Sequence, residues 1–91
     1  MAYETLTAKS INDGIDARGN RIMLVETEEG VNLHYAPECE ELGCCRASAQ
    51  AFDEDGGMHV IRWDFRGCPD YPEAEDYPWH DMSLITIERC G

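Results

Sequence analysis

Met58-His59-Val60-Ile61-Arg62-Trp63-Asp64-Phe65 is the most strand-like octet of the chain, because β-branched and aromatic side chains suit a pleated, half-buried surface. Asp53-Glu54-Asp55-Gly56-Gly57, a cluster of turn formers, leads into it. Before that cluster, Ala47, Ala49 and Ala51 alternate with Arg46, Ser48, Gln50 and Phe52. Strand, turn and strand in that order predict a β-hairpin ending at Phe65. The octet therefore points to an antiparallel sheet.

Upstream, Arg21-Ile22-Met23-Leu24-Val25-Glu26 and Val31-Asn32-Leu33-His34-Tyr35 flank the short loop Glu28-Glu29-Gly30. They predict another hairpin, with Gly30 where the turn needs a positive φ. Tyr3-Glu4-Thr5-Leu6-Thr7-Ala8 alternates as a first strand running into a turn at Asn12-Asp13-Gly14. Downstream, Met82-Ser83-Leu84-Ile85-Thr86-Ile87-Glu88 alternates and should close the sheet. The stretch from Pro37 to Phe52 supports two readings. Pro37 followed by Glu38, Glu40 and Glu41 is helix-start chemistry, with Leu42, Cys45, Ala49 and Phe52 near one helical face. Against a helix stand Gly43 and the alanine alternation. The expected fold is mainly β: one small domain over residues 1–91, an antiparallel sheet of about five strands, and a short helix near 37–42. The alternative is an α+β domain with one helix spanning 37–52.

Composition narrows the function more than any motif does. Nineteen Asp and Glu face seven Lys and Arg in 91 residues, a formal net charge of −12, and Lys9 is the single lysine. Such a surface repels nucleic acid and anionic membranes and is drawn to basic partners. Hydrophobic residues at 43% still provide a core, so the acidity overlies a folding chain. No 18-residue apolar run and no charged-then-apolar leader stand in the sequence, which predicts a soluble cytoplasmic protein, in a host's cytoplasm if the chain is phage-borne. Five cysteines without a secretory signal are expected as free, buried thiols.

The one-sign character peaks between Arg66 and Arg89, where no Lys or Arg occurs. Within it, residues 68–81 hold Pro69, Pro72 and Pro78 and lack apolar periodicity, so they form a long loop, a feature that in small domains is functional or disordered. Asp70, Glu73, Glu75, Asp76 and Asp81 interleave there with Tyr71, Tyr77 and Trp79. Carboxylates steer toward Arg and Lys on a partner while rings supply rigid contact area. The candidate partner-binding residues are therefore these eight, with Glu38, Glu40 and Glu41 as secondary steering groups. The bland alternative is that the rings cap the open end of the sheet and the acids face water.

Other constellations fit chemistry poorly. Cys39, Cys44 and Cys45 with His34 invite a zinc reading, but adjacent cysteines point to opposite faces of a strand and the spacing departs from paired zinc ligands. Asp53 to Asp64 begins like a calcium loop, yet Met58 stands where the obligatory glycine belongs. With no nucleophile motif, phosphate-cradling loop or complete metal signature, binding without a cofactor is expected rather than catalysis. Compact acidic proteins of mobile elements that block restriction or CRISPR effectors are similar in composition, though they share no motif with this chain. The leading expectation is thus a nucleic-acid mimic that inhibits a basic, nucleic-acid-binding protein. A small zinc- or thiol-dependent domain, and a structural or assembly protein whose acidity serves solubility, are the rivals.

Overall fold

The computed structural model describes residues 5–37, 41–43, 45–69 and 71–90. Eight strands form one antiparallel sheet: β1 (Thr5–Leu6), β2 (Ala8–Ile15), β3 (Arg21–Thr27), β4 (Asn32–Tyr35), β5 (Glu41–Leu42), β6 (Arg46–Asp53), β7 (Met58–Asp64) and β8 (Ile85–Arg89). Seven lie along the order β1-β8-β7-β6-β4-β3-β2, and β5 pairs beside the start of β6. The sheet curls into a half-barrel. Its two ends belong to one stretch of chain, because only Thr7 separates β1, paired with β8, from β2, paired with β3. At that joint the Thr7 N–H donates to Glu29 Oε1 at 2.8 Å, and its carbonyl accepts from the Glu28 N–H at 2.9 Å. Curling in this way leaves less of the ladder as an open edge.

Period-2 alternation supplies the core. Leu6, Ile11, Val25, Leu33, Tyr35, Ile61, Trp63, Phe65 and Ile87 are buried on the concave face, each contributing roughly 1.5–3 kcal/mol when fully removed from water. Ala47, Ala49 and Ala51 face inward too, and the register sets Ala47 opposite Trp63 and Ala49 opposite Ile61. Small residues beside large ones let the curved wall close without a clash.

Both expected hairpins form, with φ 85° at Gly30 and Gly56. Asp53 organises the second turn: one carboxylate oxygen accepts from the Asp55 and Gly57 N–H groups, and the other meets buried His59 Nε2 at 3.0 Å. The imidazole holds the Asp53 carboxyl below the usual carboxylate range, with the Gly57 N–H adding to the effect. His59 Nδ1 is buried with no hydrogen-bond partner among the described residues.

Three expectations change. The sheet has seven strands in its main order rather than about five, because the first segment contributes to both ends. The helix near 37–42 is replaced at 41–42 by strand β5, with 38–40 outside the described residues, and a helix over 37–52 is excluded by strand β6. Alternating alanines that bury on one face outweighed the helix-start chemistry. Helical geometry among the described residues is 3-10 only: at Pro37, at Ala74–Asp76 and at Met82–Leu84. Finally, Asn12-Asp13-Gly14 lies inside β2. The turn follows at Asp16, whose carboxylate accepts from the Arg18 and Asn20 N–H groups, while Gly14, lacking a Cβ, lets Leu24 lie over it.

Enlarging the small inner row should strain the wall. Ala49→Leu is expected to cost about 1–3 kcal/mol in chemical denaturation, whereas Gln50→Leu, on the exposed side of the same strand, should change the midpoint little.

Candidate docking site

The segment joining β7 to β8 leaves the barrel at the end where β6 begins, since Arg46 pairs with Asp64. Prolines deny it a ladder, so side chains hold it in place. The Trp63 indole N–H donates to the Trp79 carbonyl at 3.0 Å. Trp79 packs edge-on against Trp63 and Phe65, with centroids at 5.1 and 5.2 Å. Tyr77 lies 5.0 Å from Phe65, and Tyr71 stacks edge-on against Tyr77 at 5.0 Å. Edge-to-face pairs of this kind add about 0.5–1.5 kcal/mol each beyond the area they bury. Short backbone bonds fold the rest: the Cys68 N–H to the Phe65 carbonyl, Asp76 to Glu73, and Asp81 to Pro78. Asp81 caps the following turn, accepting from the Ser83 N–H and hydroxyl.

The residues singled out from the sequence thus divide. Tyr71, Tyr77 and Trp79 come together in one half-buried ring cluster in which Tyr77 and Trp79 pack against the core, the capping role, and Tyr71 stacks on Tyr77. Glu73, Glu75, Asp76 and Asp81 are exposed on the same segment. Asp70, Glu38 and Glu40 lie outside the described residues. Glu41 takes its place in β5 opposite Ser48, at this same end of the sheet, and its side chain lies outside the described residues.

Among the described residues no arginine pairs with the acids of this segment, although Arg46 and the Arg66–Asp64 pair lie at the same end of the sheet. Among the described residues the ion pairs are Arg21–Asp13, Arg62–Glu88, Arg66–Asp64 and His59–Asp53, and none involves a carboxylate of 71–81. Arg66 grips Asp64 through both its Nε and a terminal nitrogen. Its hydrogen bonds, foremost from the side chain, bring the Asp64 carboxyl down from 3.8 to about 2.

A second acidic end escaped the sequence reading. The β3–β4 and β6–β7 hairpins turn at the same pole of the barrel, and β4 pairs with β6. Glu28, Glu29, Glu54 and Asp55 therefore gather opposite the 71–81 end, with the Asn32 amide bonded to Glu54 at 3.3 Å. Two turns separated by some two dozen residues meet through topology, and no local pattern announces it.

The zinc reading cannot be placed: Cys39 and Cys44 lie outside the described residues, His34 stacks on Phe52 on the outer face, and no group of three or more His, Cys, Asp or Glu that could hold a metal occurs among the described residues. No helix among them is long and apolar enough to cross a membrane. No protein-family model, curated protein or solved structure matches the chain.

Two outcomes follow from these contacts. Trp79→Ala should lower stability by roughly 3 kcal/mol and raise amide exchange in 71–84 first. For Asp64, a folded pKa below the unfolded one means its stabilising effect is complete above about pH 3.8 and disappears as pH falls through about 2. Carbon-detected NMR titration should show that midpoint, and Arg66→Ala should move it back toward 3.8.

Proposed function

We propose that this chain is an acidic binding module that presents its 71–81 end to the basic, nucleic-acid-binding surface of another protein and inhibits that protein by occupying it. The reading is of the anti-restriction or anti-CRISPR kind, a nucleic-acid mimic. The observation that carries it is the division of labour along one segment: Tyr77 and Trp79 pack against the core with Tyr71 stacked on Tyr77, while Glu73, Glu75, Asp76 and Asp81 stand exposed and outside any ion pair among the described residues. Rings that are already packed leave the carboxylates on a preordered support, which reduces the ordering cost of association. Unpaired carboxylates in a chain of net charge −12 draw a cationic partner and quicken encounter. Tyr71, outermost in the ring stack, is the aromatic surface best placed to touch that partner, with Tyr77 and Trp79 contributing their remaining exposed edges.

Acidity for solubility alone is the competing reading, and the second acidic end favours it. The two are separated by a charge-reversal pair, measured against the basic protein recovered by pulldown. Glu73→Lys, Glu75→Lys and Asp76→Lys together should slow association at least about tenfold at low salt without moving the thermal midpoint, and an oligonucleotide bound to the partner should compete. Glu28→Lys, Glu29→Lys and Glu54→Lys, which change net charge equally at the opposite pole, should slow it far less. Equal slowing by the two triples would mean that net charge alone matters.

A further inference from the structure

The arginines of this acidic molecule are not spread evenly. Ala47, Trp63 and Ile87 point into the core, so alternation sends Arg46, Ser48, Arg62, Thr86 and Glu88 to the outer wall of β6, β7 and β8. There they line an open cleft of about 530 Å³ that also takes in Asp64 and Arg66. Three of the chain's seven cationic side chains thus face one cleft, against two carboxylates. The register places Ser48, Arg62 and Thr86 in one row across three strands, and Arg46 opposite Asp64 in the next. Arg46 and Arg62 are therefore diagonal neighbours, about 7–8 Å apart at the backbone, close enough for both guanidinium forks to reach one group.

The pairing within the cleft is uneven. Arg66 is held on Asp64 by a fork of hydrogen bonds. Arg62 makes one contact to Glu88 at 3.1 Å, with both side chains half exposed. Arg46 enters no ion pair among the described residues, although it lies near enough to Asp64 to lower its pKa slightly. The cleft thus offers two under-used guanidiniums flanked by two hydroxyls, and every one of these groups can donate.

We infer that this cleft is an oxyanion site for a phosphate monoester, with Arg46 and Arg62 as the binding forks, Ser48 and Thr86 as hydroxyl donors, and Arg66–Asp64 as a fixed pair at its side. Donors reach the centre from three strands, a convergence that suits the several oxygens of a tetrahedral dianion better than the plane of one carboxylate. The cleft lies on the outer wall at the end from which the 71–81 segment leaves, but its chemistry is opposite: it binds an anion, where the 71–81 acids would bind a cationic surface. It stands or falls independently of that proposal.

The test is titration of the ¹⁵N-labelled full chain with inorganic phosphate, phenyl phosphate and malonate at low, constant ionic strength. Saturable shifts confined to the amides of 46–48, 62–66 and 86–88, produced by both phosphates, are expected. Arg46→Gln and Arg62→Gln should each weaken binding at least about tenfold, and Arg62→Lys, which keeps the charge and loses the fork, should fall in between. Arg21→Gln, which removes the same charge from another wall, should leave binding unchanged, and thermal midpoints should match for all four variants. Shifts that rise linearly without saturation, or an Arg21→Gln effect equal to that of Arg46→Gln, would reduce the cleft to a surface ion-pair network. Malonate binding as tightly as phosphate would overturn the assignment to phosphate.

Discussion

The buried indole of Trp63 is the constraint on which the rest depends. It sits in the concave wall opposite Ala47, meets Tyr35 edge-on at a centroid distance of 6.0 Å, and gives its N–H to the Trp79 carbonyl. A tryptophan in a core must satisfy that donor, and an unpaired one would cost about 1–3 kcal/mol. Here the partner is the backbone of the β7–β8 connection. One hydrogen bond thus completes the core and fastens a proline-rich segment that has no ladder of its own. Phe65, Tyr77 and Tyr71 extend the contact outward as a chain of rings.

Curvature then decides where charge can go. An inward face filled by rings and aliphatics leaves the outer face, the turns and the connections for nineteen carboxylates. The antiparallel meander sends alternate turns to opposite poles, so acids accumulate at two ends, while Arg46, Arg62 and Arg66 line the outer wall toward the 71–81 end. A chain with this net charge lowers its own compact-state stability through self-repulsion. The arginine–carboxylate pairs on β6 to β8 and the Asp53 turn offset part of that effect where strands bring acids close.

Much of the sheet is legible from residues alone. The two hairpins can be read because alternation and turn chemistry agree locally: Gly30 and Gly56 stand at positive φ, and Asp53 opens a turn in place of a calcium loop. Most of what escapes is non-local. Residues 5–15 read as one strand and a turn, since nothing in Asn12-Asp13-Gly14 reveals that Leu24 will cover Gly14 or that the segment will pair at both ends of the sheet. One miss is local: the acidic start of 37–42 resembles a helix, yet β5 folds back on β6 through a tight turn closed by the Gly43 N–H on the Arg46 carbonyl, with Cys45 at a positive φ of 64° that its residue type does not announce. Of the candidate site, the alternation of rings and acids in 71–81 is visible in the sequence. The inward direction of the rings depends on Trp63 and Phe65, and the second acidic pole depends on strand order.

The Trp63–Trp79 bond keeps the acid-bearing segment in place in the free protein. Hydrogen exchange of the Trp63 indole N–H reports on that bond itself. If the bond persists, that proton should exchange only as slowly as the core amides of β6 and β7, through global opening. Exchange at the rate of a solvent-exposed indole, with the core amides still protected, would show the segment detached from the barrel.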